Sequence, residues 1–310
     1  MNDFISAALD CFGIESRRTV KEKGSYICHT PAGLVKLAKT YESPEAIRLA
    51  HTVKEHAAVK GFVYTDRYIL GPEGLPYAQL GVDRYVASRI SHGRELDLAS
   101  PREVLDTVSQ IARFHANARG LEAECPAAVS CEGTFTRGRD AVRQAVKHVN
   151  RQKQRSDFDI LFIKNAPVFE ERIDRALVQL AASPYLDMYA QALRGNHVTH
   201  NALKEEYILI ADGTPFFTHF TAVNKNIQLY DLASFIRRYT AKNKKDSLPL
   251  PRLLEAYNKN SPLPDGSEAV IRAMLFYPAP FVRIVEQCYA KKRSWIPAGL
   301  LNRLEEILED

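Results

Sequence analysis

"GNHVTHNALKEEYILIADGTPFFTHF", residues 195–220, reads as a loop, a short strand, an Asp-Gly turn and a second strand. The apolar runs "YILI" and "PFFTHFTAV" flank "ADGT", a hairpin signal inside a part of the chain that otherwise predicts helices. Such an arrangement often presents catalytic carboxylates and amides. Here the loop-like parts carry three histidines instead, His197, His200 and His219.

Around this hairpin the pattern is helical. "SPREVLDTVSQIARFHANARG" begins with Ser100 and Pro101, keeps a 3.6-residue period through Val104, Leu105, Val108, Ile111, Ala112 and His115, and stops at Gly120. Further helices are predicted at 140–153, 167–182, 231–241, 268–276, 280–291 and 298–309. The first 90 or so residues predict a β-rich segment with one helix. "GSYICHT" and "GLVKLAKTY" flank Pro31-Ala32 as a hairpin, with Gly33 leaving the register open. In "SPEAIRLAHTVKEHAAVKGF", Ser43 can cap, Pro44 suits the first turn, Ile47, Ala50 and Val53 share a face, and Gly61 ends the helix. Short strands with Gly-rich turns follow in "YTDRYILGPEGLPYAQLGVDRYVASRI". The predicted order is a β-rich N-terminal lobe at about 1–90, a connector near "RISHGREL", and a helical C-terminal lobe at 91–310 with one inserted hairpin at about 207–223.

Composition narrows the classes. The 310 residues are 45% hydrophobic and 25% charged, which are globular proportions. No apolar run approaches the roughly 18 residues of a membrane span, and the start has acids and no basic n-region, so a protein made inside a cell is expected. Cys11, Cys28, Cys125, Cys131 and Cys288 are spread out without any C-x-x-C, which predicts plain thiols rather than a disulfide framework or zinc ribbon. Cys125 and Cys131 fall in an expected loop, where cross-linking after assembly is the alternative. The formal charge of +5 comes from short basic runs, read as solvated faces; no nucleic-acid motif accompanies them.

The order of elements resembles the protein-kinase-like α+β bilobal fold, in its aminoglycoside and choline phosphotransferase branch, and is similar above all to the CotS family of spore coat proteins. "KGSYICHTPAGLVKLAKT", "VKEHAAVKGF", "GLPYAQLGVDRYV", "GRELDL", "IARFHANARG", "IQLYDLASFIRRY" and "FYPAPFVRIVEQCYAKKRSWIP" carry the likeness over nearly the whole chain. It implies a component of the spore coat, made in the cytoplasm of the sporulating cell, with other coat proteins as partners and neither nucleic acid nor membrane.

Active members of this fold carry His-Gly-Asp, four residues, Asn, an apolar strand, and an Asp-Phe pair about 20 residues beyond the His. The first Asp takes the substrate proton, while the Asn and second Asp hold Mg²⁺ against the phosphates. On that pattern His200 keeps the His position, but the acid becomes Ala202, the amide Tyr207, and Asp-Phe becomes His219-Phe220. The resemblance places the phosphate-binding lysine on the third strand at Leu37-Ala38; Lys36 shares that face and Lys39 lies on the other. Glu55 is the match for the glutamate that would pair with such a lysine. A pseudokinase scaffold without cofactor is therefore expected. The alternatives are an ATP- and Mg²⁺-dependent phosphotransferase, in which Glu205 or Glu206 replaces the missing acid, and a nucleotide sensor without catalysis.

Other residues have plainer readings. Zinc on His197, His200 and His219 is conceivable, but H-x-x-H off a helix is a common accident and no metal is expected. His115 fits a core histidine. The Asp231 carboxylate is expected to cap the helix it begins and to steady the loop before it. "LFYPAPF" and Trp295 read as core, with an exposed docking patch for coat proteins as the alternative.

Overall fold

The computed structural model describes residues 3–289 and 298–309. The chain forms two compact units, one of 1–127 with 192–263, the other of 128–191 with 264–310. The division expected near residue 90 falls inside the first unit. Among the described residues no helix is long and apolar enough to cross a membrane.

The chain begins with helix α1 (Asp3–Asp10), strands β1 (Arg18–Glu22), β2 (Ser25–Thr30) and β3 (Gly33–Thr40), and helix α2 (Pro44–Val59). Strands β4 (Ala78–Leu80), β5 (Asp83–Arg89) and β6 (Arg94–Glu95) lead into helix α3 (Pro101–Asn117). Five of these strands make an antiparallel sheet ordered β1-β2-β3-β5-β4. The β1–β2 connection is a two-residue turn with Lys23 at φ 43° and Gly24 at φ 79°, the left-handed pair that matches strand twist. Pro31-Ala32 closes β2 onto β3 with Thr30 opposite Gly33, which settles the register.

On β3, Val35 and Leu37 point to one face, where they pack with Cys28, Ala78 and Ala87 against Ile5, Ala8, Leu9 and Phe12. Helix α1 thus covers a sheet face, and the N-terminal segment holds two helices rather than the one expected. Each fully buried large side chain there contributes about 1.5–3 kcal/mol. Helices α2 and α3 begin as predicted. Ser43 Oγ accepts from Ala46 N at 3.2 Å, and Ser100 Oγ from Glu103 N at 3.4 Å.

The next helices are α4 (Cys131–Asn150), α5 (Asp157–Ala181) and α6 (Tyr185–Arg194). Both α4 and α5 begin about ten residues before their predicted starts. Ser130 caps α4, and Ser156 with Asp159 forms a capping box on α5, so Pro167 lies inside a helix that it was expected to start. Cys131 opens α4 and is buried, which corrects the loop expected for it; Cys125 is buried too, and neither is in a disulfide.

Strand β7 (Val198–Thr199) pairs later with β10 (Asn224–Lys225), and β8 (Ile208–Ala211) with β9 (Thr214–Phe217) makes the hairpin, extended by β6. Helices α7 (Leu229–Asn243) and α8 (Leu250–Asn258) complete the first unit; α9 (Ser267–Phe276), α10 (Ala279–Tyr289) and α11 (Ala298–Glu309) belong to the second. There, Tyr277 stacks on Phe135 at 3.9 Å and Phe281 on Phe169 at 3.8 Å, both deep in the core. Phe276 is half-buried beneath the guanidinium groups of Arg172 and Arg175. The basic run 291–293, Trp295 and the end of the expected helix 280–291 lie outside the described residues.

Candidate functional site

The loop at 200–202 is shaped by main-chain bonds to one carboxylate. Asp231 Oδ2 accepts from His200 N at 2.7 Å, and Oδ1 accepts from Asn201 N at 2.8 Å, with Asn201 in the left-handed region at φ 59°. His115, wholly buried on α3, adds its Nε2–H to Asp231 Oδ2 at 3.1 Å. A carboxylate only accepts, so the neutral ring leaves Nδ1 to accept from Tyr257 Oη, at 2.9 Å. Burial pushes the His115 imidazole below its ordinary range, and Asp231 offsets this only in part. Helix α7 has Gln228 at its N-cap and no side-chain cap bond. The expected capping role of Asp231 is therefore corrected; both its oxygens serve the loop and His115.

His200 is buried and donates Nε2–H to Thr218 O at 3.0 Å. Its Nδ1 is buried without a partner, and desolvation pushes its pKa down to about 4. His197 is also depressed to about 4, first by burial and then by the nearby Arg119 charge and the His115 ring. Among the described residues no three His, Cys, Asp or Glu side chains, the three histidines of the opening stretch included, gather in a way that could hold a metal ion.

Tyr207 ends a 3₁₀ turn over Glu205–Tyr207, and His219 precedes another at Phe220–Ala222 with φ 66° and ψ 56°. Their rings lie face to face, centroids 3.9 Å apart and planes 19° apart. His219 Nε2 is 3.1 Å from Thr221 Oγ1, and the charged neighbours of its ring are Asp66, Glu42, Lys204 and Lys36. Lys204 pairs with Glu206 at 3.6 Å. Ala202 adds only a methyl. A methyl, a phenol and an imidazole do not fit Mg²⁺, which needs hard anionic oxygens. No phosphoryl-transfer step can be derived through a metal at these three positions.

On β3, Lys36 sits between Ile27 and Ser88 on the same face as Ala38, half-buried and without an ion pair among the described residues. Lys39 faces the other way and pairs with Asp83 at 2.7 Å. Glu55 does not meet a β3 lysine; its carboxylate takes the Arg67 guanidinium in a fork, with Nε 2.8 Å from Oε1. That bond, partly offset by desolvation, holds Glu55 below its usual range.

The residue that sequence reasoning missed is Lys54. Wholly buried on α2, it donates to Asp66 O at 2.9 Å, lies 2.7 Å from Asp66 Oδ1, and sits 3.6 Å from the Tyr68 ring and 5.2 Å from Phe220. Desolvation lowers its pKa, while the Asp66 charge opposes that shift. Asp66 belongs to a segment joined to the hairpin, since its N donates to Phe217 O at 3.2 Å and Tyr64 O accepts from Phe217 N. The signal was present in sequence: Ile47, Ala50, Lys54 and Ala57 form one stripe, so a lysine on the apolar face demanded a buried anion.

A five-stranded antiparallel sheet with a helix after its third strand, then helices interrupted by a hairpin whose preceding loop is braced by an aspartate, defines a protein of the kinase-like phosphotransferase fold. The aminoglycoside phosphotransferase from Alicyclobacillus acidocaldarius superposes with a TM-score of 0.84 at 16% identity, covering 98% of this chain and 91% of that one. A spectinomycin phosphotransferase matches with a TM-score of 0.66 and 12% identity, covering 99% and 93%. For choline kinase LicA from Streptococcus pneumoniae the values are 0.56 and 10%, with 100% and 98% covered. A search of curated proteins gives no match. Residues 10–310 match the family described as "Spore coat putative kinase YutH", and the chain belongs to that CotS-like spore coat family.

Proposed function

We propose that the protein is a spore coat component, made in the cytoplasm of the sporulating cell, that uses the kinase-like fold as a scaffold for other coat proteins and transfers no phosphoryl group. The observation that carries this reading is the Tyr207–His219 stack, two rings 3.9 Å apart at the positions the resemblance assigns to metal ligands. Ala202 supports it by removing the base, itself worth about 10²–10⁴ in rate. Losing the metal's charge stabilisation adds several kcal/mol to the barrier.

The test is calorimetric titration of metal-stripped protein with ATP, with and without Mg²⁺. No Mg²⁺-dependent heat is expected. Metal-independent binding would turn the reading toward nucleotide sensing. One observation favours an active phosphotransferase on a small-molecule or coat-associated hydroxyl: Glu205 Oε2 is buried without a hydrogen-bond partner. Phosphoryl transfer abolished by Glu205→Gln would overturn the scaffold reading.

A further inference from the structure

We propose that β1 is a self-complementary edge on which a second copy of this chain docks antiparallel, joining two five-stranded sheets into one. The inference does not depend on whether the site is catalytically inert. β1 is an outermost strand paired only with β2, and Arg18, Val20, Lys21 and Glu22 are all exposed. Val20 is 39% exposed, an apolar side chain in the middle of an open edge.

The turn decides which main-chain groups face outward. Glu22 opposite Ser25 closes the two-residue turn, so Glu22 and Val20 exchange hydrogen bonds with β2, while at the start of the strand Arg17 N donates to His29 O. By alternation, the N–H and C=O groups of Thr19 and Lys21 point to the open edge. A two-fold axis through Val20 places Thr19 of one copy opposite Lys21 of the other, with both residues bonded. It also sets Val20 against Val20, and Arg18 against Glu22 on either side. The order Arg-Thr-Val-Lys-Glu is therefore matched to its own reverse, with two ion pairs and no like-charge pair among those five residues; just beyond them Arg17 comes opposite Lys23, whose ammonium is paired with Glu95.

Neighbouring registers fail on charge. A slip of two residues one way sets Lys21 against Lys21, and like charges directly opposite destabilise a ladder; the other way sets Arg18 against Val20 and forms neither ion pair. Charges on an edge strand usually guard against pairing. Here they favour one register over its neighbours. Five residues a side make a small interface, so the pairing matters at high local concentration or in an array where contacts add.

Two measurements test this. In sedimentation equilibrium the protein should dimerise reversibly. Glu22→Arg should weaken dimerisation about tenfold or more by opposing two arginines twice, and Arg18→Glu combined with Glu22→Arg should restore it. Unchanged melting curves will show that these exposed substitutions leave the fold intact. In the second, Val20→Cys should cross-link under mild oxidation, because a non-bonded antiparallel pair holds its Cα atoms about 4.5 Å apart, whereas Lys21→Cys should not. A wild-type monomer at millimolar concentration, undiminished dimerisation in Glu22→Arg, or equal cross-linking at 20 and 21 would overturn the proposal.

Discussion

Replacing Lys54 by Met tests whether the buried ion pair holds α2 in place. Methionine fills most of the lysine's volume, so the change isolates the charge and its bonds. It leaves the Asp66 carboxylate, only 12% exposed, without its cation, and removes the bond to Asp66 O. Breaking a buried pair from one side costs about 3–5 kcal/mol, and the partial exposure of Asp66 places this case near 3. Asp66→Asn strands the wholly buried ammonium and should cost as much or more. In the double variant neither charge is orphaned, so its loss should fall about 2 kcal/mol or more short of the sum, a coupling that only contacting residues show. Urea denaturation followed by far-ultraviolet circular dichroism gives all four stabilities. A loss under about 1 kcal/mol for Lys54→Met, or additivity in the double variant, would refute the claim that this pair fastens α2, since the pairwise term would then be absent.

Acid should loosen the first unit. The pKa of His200 is depressed to about 4 by burial, against about 6.5 in the unfolded chain, so its contribution is complete above pH 6.5 and is lost as pH falls toward 4. At pH 5 the loss is about 2 kcal/mol, and His115 shifts in the same direction. Melting curves at pH 7.5 and 5 should show this slope, and His200→Gln should flatten it. In the second unit, Gly138→Ala should destabilise by about 1–3 kcal/mol, the usual range for overpacking. A Cβ there would lie 2.0 Å from Tyr277 Oη and 2.9 Å from Val282 Cγ1, and thermal melting measures the effect.

The elements with caps and turns were legible. Ser43 and Ser100, each followed by proline, marked α2 and α3; Pro31-Ala32 and Asp212-Gly213 marked hairpins. What escaped had weaker local signals. Helix α1 has only eight residues and is held by Ile5, Leu9 and Phe12 against a sheet face that local pattern cannot reveal. Pro167 misled because proline usually opens a helix, whereas Ser156 and Asp159 supplied a stronger start ten residues earlier. At the site, the degenerate positions Ala202, Tyr207 and His219 were visible from spacing within the resemblance, but the stacking of two of them was not. The resemblance points to Glu55, whereas the apolar stripe of α2 points to its neighbour Lys54.

The Asp231 brace grips the loop by the amide hydrogens of His200 and Asn201 and ignores the side chains beyond them. Any residue but proline supplies such an amide, although the left-handed backbone at 201 favours asparagine, aspartate or glycine there. The loop's course is thus written in groups that almost every substitution preserves, and chemistry at 202, 207 and 219 can be exchanged without unmaking the support beneath it. A fold so fastened can lose one occupation and keep its form, available for another.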